Sequence, residues 1–322
     1  MPEFDLISTL QEIICIPPGS GAAQCLVGIG DDAAVLDVPA QRDLVVCTDT
    51  LVEGVHFPAG TNPAAIGHKA LAVNLSDLAA MGAEPAWFFM ALTLPREDRG
   101  WLDSFAHGMA EQARQARIVL AGGDVSSGPL SITITAIGLI EKGRALVRSG
   151  AGDGDLVVVS GAPGAAAHAL KNLQRGEVPA PPDLAALEFP VPRLKLGQAL
   201  HGLATACIDI SDGLMADLGH ILEQSRAGAE VELDKLPCPE SIKGLDDKER
   251  WALQLAGGDD YELCFTVPPD SAAELAEISR SCGVELTIIG AINDRQGLAF
   301  KTSGGELYDP GFTAYQHFAV NQ

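Results

Sequence analysis

Positive charge is scarce in this sequence: 21 lysines and arginines stand against 43 aspartates and glutamates in 322 residues, a formal net charge of −22. Nucleic acid and anionic membrane surfaces select basic patches, so neither is an expected partner. Long apolar runs are also missing. The longest, Ala86–Leu92, falls far short of the roughly 20 residues that span a bilayer as a helix. The opening MPEFDLISTL has no basic segment followed by an apolar stretch, so no secretory signal is expected there. The seven cysteines are scattered with no C-x-x-C spacing, which argues against a zinc site or a disulfide framework and for reduced thiols in a cytoplasmic protein.

Phosphate-handling motifs are absent as well. No G-x-x-x-x-G-K-[ST] occurs, nor H-R-D, D-F-G or V-A-I-K, so neither a Walker cradle nor a protein kinase is expected. GIGDD lacks the third glycine and the following helix of a dinucleotide fingerprint. SGAPGAAAHAL at 160–170 reads first as a strand–turn–helix connection that needs glycine for its shape, and second as an anion site at a helix start.

What the sequence does contain is a set of six short segments, each carrying an aspartate beside glycine, serine or threonine. They are GIGDD at 28–32, CTDT at 47–50, NLSD at 74–77, AGGD at 121–124, DISD at 209–212 and GGDD at 257–260. Two like charges about 4 Å apart cost roughly 4 kcal/mol at an effective dielectric near 20, so carboxylates gathered in one cleft would need neutralising cations. Oxygen ligands point to Mg²⁺ or Ca²⁺, and Mg²⁺ in turn commonly completes its shell with substrate phosphates. Phosphate chemistry is the expectation.

Taken singly, the segments leave alternatives open. GIGDD is either an ordinary Gly-Asp turn or one that aims Asp31 or Asp32 at a cleft. In CTDTLVEGVHF a strand is expected to end at Thr48-Asp49, so that a hydroxyl and a carboxylate emerge together; His56 beyond it reads as structural or functional. Asn74 and Asp77, three apart on a helix, share a face, and such a pair in so apolar a helix must be bonded or metal-bound. Gly122, Gly123 and Asp124 read as a tight turn after a strand. Arg148 is either a bidentate phosphate contact or half of a surface ion pair. Asp209 and Ser211 lie on one face of a strand, and Asp212 alone reads as a helix N-cap.

At this length two domains are expected, because single cores seldom grow past about 250–300 residues. The turn-rich stretch Ser149–Asp155 sets a boundary, giving 1–148 and 149–322. Strands and helices mix without a steady βαβ alternation, so the expected fold class is α+β. The 176–192 stretch, rich in proline, reads as a loop.

The set GIGDDAAV, TDTLVEGVHF, KALAVNLSDLAAMGAEP, GGD, RSGA, IDISDGL and GGDDYELCFT resembles the bacterial thiamine-monophosphate kinases, of the aminoimidazole-ribonucleotide-synthetase-like superfamily. The resemblance implies two α+β domains, a homodimer paired through the N-terminal domain, and ATP-dependent phosphorylation of thiamine monophosphate with several Mg²⁺ ions. It also implies roles by position. Asp32, Thr48, Asp49, Asp77, Asp124, Asp209 and Asp212 match the Mg²⁺ ligands; Gly123, Asp124, Arg148 and Ser211 match the nucleotide contacts; His56, Asp259 and Tyr315 match contacts to the thiamine end. Asp49, Asp124 and Arg148 are the implied catalytic set. Two positions depart from the family pattern: Cys47 stands where relatives often carry Ser or Thr, and Asp259 where Glu is expected.

Overall fold

The computed structural model describes residues 3–14 and 24–311. The chain divides into two units, 1–78 with 83–145, and 79–82 with 146–322. The first unit begins with α1 (Glu3–Ile14), β1 (Gln24–Val27), β2 (Val35–Asp37) and β3 (Arg42–Val52), followed by α2 (Pro63–Ala80). It continues through β4 (Glu84–Leu94), α3 (Arg99–Ala116), β5 (Val119–Ser127) and β6 (Ser131–Glu141). The last four long strands form one sheet in the order β3-β6-β4-β5, antiparallel except for β4 beside β5.

Alternation in SITITAIGLI does the sorting here. Ile132, Ile134 and Ala136 are buried while their neighbours stay half-exposed, the period-2 signature of a sheet covered on one side. The helices bring a matching apolar supply: Leu71, Leu75 and Leu78 from α2, and Leu102, Phe105 and Met109 from α3, are all buried. Asp98 caps α3 by accepting the Trp101 N–H at 3.0 Å, and proline opens α2 at a position where a missing N–H costs nothing. The two helices press backbone to backbone through glycines. A Cβ on Gly67 would fall 2.1 Å from the Phe105 carbonyl oxygen, and one on Gly108 would fall 1.9 Å from that of Ala64.

Two elements run longer than the sequence suggests. Strand β3 continues to Val52 rather than ending at Asp49. Gly122, Gly123 and Asp124 lie within β5 and not on a turn. Ala121 is extra in the β4–β5 register, and a Cβ on Gly123 would sit 2.0 Å from the Met90 carbonyl oxygen. The glycine pair therefore serves close approach between strands.

The second unit runs β7 (Leu156–Ser160), α4 (Ala165–Gln174), α5 (Pro181–Glu188), α6 (Leu194–Ala199), β8 (Ala206–Asp209) and α7 (Leu214–Ser225). Then come β9 (Gly228–Glu232), α8 (Asp247–Ala256), β10 (Leu263–Val267), α9 (Ala272–Cys282), β11 (Leu286–Asn293), β12 (Gly297–Lys301) and β13 (Leu307–Tyr308). Its seven strands pair in the order β13-β12-β9-β11-β7-β10-β8. Central strand β7 is buried on both faces: Val157 and Val159 pack with Leu218, Ile221 and Leu255 from α7 and α8, and Val158 packs with Leu196 and Leu275 from α6 and α9. The Pro-rich stretch holds a helix where a loop is expected, because Pro181 and Pro182 occupy the first turn of α5, where proline is tolerated. The mixed strands and helices of both units make the fold α+β.

The glycine contact in α2 yields a prediction of sign. Gly67→Ala raises helix propensity, worth about 1 kcal/mol in an exposed helix, but here it forces α2 and α3 apart and costs about 1–3 kcal/mol. Urea unfolding of the variant is expected to show a lower midpoint; an equal or higher midpoint refutes the contact.

Candidate functional site

In the first unit, β3 deals its side chains to two faces. Thr48 and Thr50 form rungs with Thr135 and Thr133 of β6, hydroxyl to hydroxyl at 2.9 and 2.8 Å. Cys47 and Asp49 point the other way, toward α2. The Thr48 hydroxyl and Asp49 carboxylate thus do not emerge together: they are interior neighbours on a strand, and alternation separates them. On the α2 side the Cys47 thiol donates to the Asn74 carbonyl oxygen at 3.4 Å. The Asn74 amide donates to the Ala70 carbonyl at 3.1 Å, which satisfies a fully buried polar side chain.

Asp49 and Asp77 meet here. Burial pushes the Asp49 carboxyl above its ordinary range, opposed by a hydrogen bond with Asp77. Burial, followed by the Asp77 and Asp49 charges, drives the Cys47 thiol far upward. Ionisation of Cys47 is thereby disfavoured, which makes the thiol a weak hydrogen-bonder and a poor nucleophile. Two carboxyl groups in contact and partly stripped of water require either a shared proton or a cation between them.

A second place in this unit gathers Asp31, Asp32 and Asp124. They line a cavity of about 680 Å³ together with Gly28, Gly30 and Gly123. The Asp32 N–H is held by the Asp31 carboxylate at 2.9 Å. His56 lies in the turn after β3, where its Nδ1 accepts the Val52 N–H at 3.0 Å. The buried Lys69 reaches the His56 carbonyl oxygen at 3.5 Å. Among the described residues no three His, Cys, Asp or Glu side chains converge as a ready metal site.

The second unit places Arg148, Asp209, Ser211, Asp212 and Asp259. Arg148 is exposed, and no ion pair to a carboxylate is found for it among the described residues. Asp209 ends β8 and is buried. Asp212 is not the N-cap of α7; Gly213 takes that place, with φ of 111° and no side-chain cap. The turn is instead held from inside the helix, where Asp217 Oδ2 accepts the N–H groups of Ser211, Asp212 and Gly213 at 3.0, 3.1 and 3.1 Å. Burial, with the Asp209 and Asp212 charges added, pushes the Asp217 carboxyl up to about 8 despite those bonds.

The GGDD segment lies against this turn. The Asp259 N–H donates to the Ser211 carbonyl at 2.9 Å and the Tyr261 N–H to that of Ile210 at 2.8 Å. Gly258, Asp259 and Tyr261 all have left-handed backbone, with φ of 67, 61 and 51°. Short acidic side chains tolerate that region better than longer ones, and the Asp259 carboxylate accepts the Tyr261 hydroxyl at 2.9 Å. The shorter side chain at this departure from the family pattern therefore suits its backbone.

Asp260 turns away and accepts the Gly164 N–H at 2.7 Å. It thereby fills the helix start that the SGAPG segment would otherwise offer to an anion, and the structural reading of that segment holds. Burial pushes the Asp260 carboxyl well up. Next to it Glu262 is gripped by both Arg193 and the Ser160 hydroxyl. Asp217, Glu262 and Arg193 lie outside the six acidic segments, and Asp260 belongs to them only as the last residue of GGDD. Asp217 had one available signal, an acidic residue in the first turn of the helix after a Gly-Asp turn. Tyr315 lies outside the described residues.

Residues 30–140 match the family model "AIR synthase related protein, N-terminal domain", and residues 152–303 match the corresponding C-terminal domain. The thiamine-monophosphate kinase of Haemophilus influenzae is 44% identical over 305 residues, covering 92% of this chain and 91% of that protein. The crystal structure of thiamine-monophosphate kinase from Stenotrophomonas maltophilia K279a superposes with a TM-score of 0.86 at 42% identity, over 96% of this chain and 98% of that one. A structure described as AaThiL complexed with AMPPCP and TMP superposes with a TM-score of 0.77 at 28% identity, over 98% of this chain and 97% of that one.

The half-buried Cys47 thiol makes a direct prediction. Iodoacetamide at pH 8 attacks thiolates, and a thiol whose ionisation lies far above that pH is protected. Peptide mass spectrometry is expected to find Cys47 unmodified in the folded protein and modified after urea unfolding. Rapid labelling of native Cys47 would show that the Asp49–Asp77 packing around it is wrong.

Proposed function

The chain belongs to the thiamine-monophosphate kinase family of AIR synthase related proteins, and from that premise we propose that it transfers a phosphoryl group from ATP to thiamine monophosphate, giving thiamine diphosphate. The observation that carries this reading is likeness over both units at once, including a relative described with an ATP analogue and TMP together.

Magnesium fits the donor set. The side chains Asp32, Asp49, Asp77 and Asp124 in one unit, and Asp209 and Asp212 in the other, offer oxygen only; the Thr48 hydroxyl, bonded to Thr135 on the opposite face of β3, falls outside that set. The Asp49–Asp77 contact is of the kind that a divalent cation relieves. When bound, Mg²⁺ supplies charge neutralisation between carboxylates and phosphate oxygens during transfer. The chain's own residues do the rest. Arg148 offers a fixed cation to the ATP phosphates, and Gly123 and Asp124 line the cavity of the first unit. Ser211 adds a hydroxyl, while His56, Asp259 and Tyr315 are assigned to the thiamine end. The acceptor phosphate is already an oxyanion near neutral pH, so no strong general base is required and a direct in-line transfer suffices.

A homodimer belongs to the same proposal. Strand β3 is a sheet edge, and on the face of its Thr48 and Thr50 it also carries Leu44 and Val46, 47% and 57% exposed. An exposed apolar edge of this kind invites pairing with a second copy. A cytoplasmic location is the companion reading, since the six described cysteines are all free and reduced thiols are the rule there. No helix among the described residues is long and apolar enough to cross a membrane.

The deciding assay supplies ATP, Mg²⁺ and thiamine monophosphate, with free thiamine and EDTA as controls. Thiamine diphosphate formed from the monophosphate alone, and abolished by EDTA, is the expected result; no product would overturn the proposal. Asp49→Asn and Asp124→Asn are each expected to lower kcat at least about 100-fold, on the order of 3 kcal/mol. Near-normal turnover in both would refute the carboxylate assignment. Light scattering after gel filtration is expected to give twice the chain mass of 33.5 kDa, and Val46→Glu to reduce it to the single-chain value.

A further inference from the structure

Helix α7 carries a side-chain clip at each end, and each clip holds a loop that bears a residue assigned above to the nucleotide. At its start, the 3%-exposed Asp217 collects the three consecutive N–H groups of Ser211, Asp212 and Gly213 on one oxygen. This inverts ordinary capping. The cap residue is a glycine with no side chain to offer, and a carboxylate from within the first turn reaches back over the loop. At its end, Ser225 Oγ accepts the N–H groups of Gly150 and Ala151, both at 3.1 Å, and donates to the Arg148 carbonyl oxygen at 3.3 Å. The loop that follows Arg148 has no regular structure of its own. The helix between the clips is seated by Leu214, Leu218, Ile221 and Leu222, all buried. Ser225 lies eight positions along the helix from Asp217, a rise of about 12 Å that does not flex appreciably.

We propose that α7 is a positioning strut for the nucleotide end of the site. On this view Asp217 and Ser225 are positioning residues that set the turn carrying Ser211 and Asp212 and the loop carrying Arg148 at a fixed spacing. The inference rests on the assignment of Arg148 and Ser211 to ATP. Neither clip residue touches substrate; each acts through the backbone of its loop. The bonds join side chain to backbone, so a change of clip alters the aim of the loops without altering the groups they present. A residue that serves stability alone would lower the unfolding temperature and leave substrate preference as it was. A positioning residue does the reverse.

The first test is Ser225→Ala. It lies at a partly exposed helix end, so its melting temperature is expected to stay within about 2 °C of the parent. Its KM for ATP is expected to rise about tenfold while KM for thiamine monophosphate stays within about twofold. In an Arg148→Ala background the same change is expected to add nothing further to KM for ATP, since coupled residues are non-additive. An unchanged KM for ATP in the parent, or a fully additive effect in the Arg148→Ala background, overturns the strut.

At the other end, Asp217→Asn keeps an acceptor oxygen and is expected to retain more activity than Asp217→Ala. If the alanine variant does not fold, the parent itself is read by hydrogen exchange. Its 211–213 amides are expected to be protected like those of α7, and exchange as fast as an open loop overturns the clip. The exchange measurement needs no turnover. A parent protein that forms no thiamine diphosphate would defeat the assigned activity, whereas an active parent with an indifferent Ser225→Ala would defeat the strut.

Discussion

Repulsion between carboxylates held out of water is the constraint on which the rest of this structure depends. An acidic side chain that loses solvent must gain a proton, a donor or a cation, and several buried or half-buried acid groups here meet that demand in different ways. Asp49 and Asp77 face each other under α2. Asp217 is surrounded by backbone N–H groups. Glu262 is gripped by Arg193, and Asp260 occupies the start of α4. Glu262 is satisfied by the chain itself, whereas the second carboxylate oxygen of Asp260 is buried with no hydrogen-bond partner among the described residues. The first pair presses one carboxyl group against another, which is why an oxygen-ligated cation fits there and not at Glu262.

The backbone is shaped to allow these approaches. Gly123 lets β5 press against β4 beside the cavity that holds Asp124, and Gly67 and Gly108 let α2 and α3 touch, which seats the helix that bears Asn74 and Asp77. In the second unit the GGDDY segment adopts left-handed backbone at two non-glycine residues, Asp259 and Tyr261. Such conformations cost of order 1–3 kcal/mol each and persist only when surroundings over-determine them. Here the surroundings are the carbonyl groups of Ile210 and Ser211, which take the Tyr261 and Asp259 N–H groups. The two acidic segments of this unit are thus one object: the DISD turn holds the GGDDY turn in shape, and Asp217 holds the DISD turn.

Much of this was legible in the chain itself. Alternation in SITITAIGLI, proline before the α2 pattern and glycine beyond it are local consequences of strand and helix periods, and the structure follows them. The six acidic segments, the shortage of basic residues and the missing Walker motif were sufficient to point to phosphate chemistry. Where reading failed, it failed at element ends and at directions. Pro181 and Pro182 read as loop formers because proline's effect depends on whether a helix follows it. Gly122-Gly123 read as a turn because a glycine pair looks the same whether it bends a chain or lets two strands touch.

What the sequence by itself determined was which chemical groups are available and which secondary structures carry them, because both follow from residue type and from contacts a few positions apart. Only the tertiary structure decided which acids answer one another. Asp49 meets Asp77 across a sheet and a helix, Asp260 caps a helix that starts at Ala165, and Thr48 and Asp49, neighbours in the chain, face opposite sides of a strand. Those pairings depend on strand register and helix packing over tens of residues. No local pattern encodes them, because the same acidic turn is stable alone in water and acquires a partner only when the core removes the water around it.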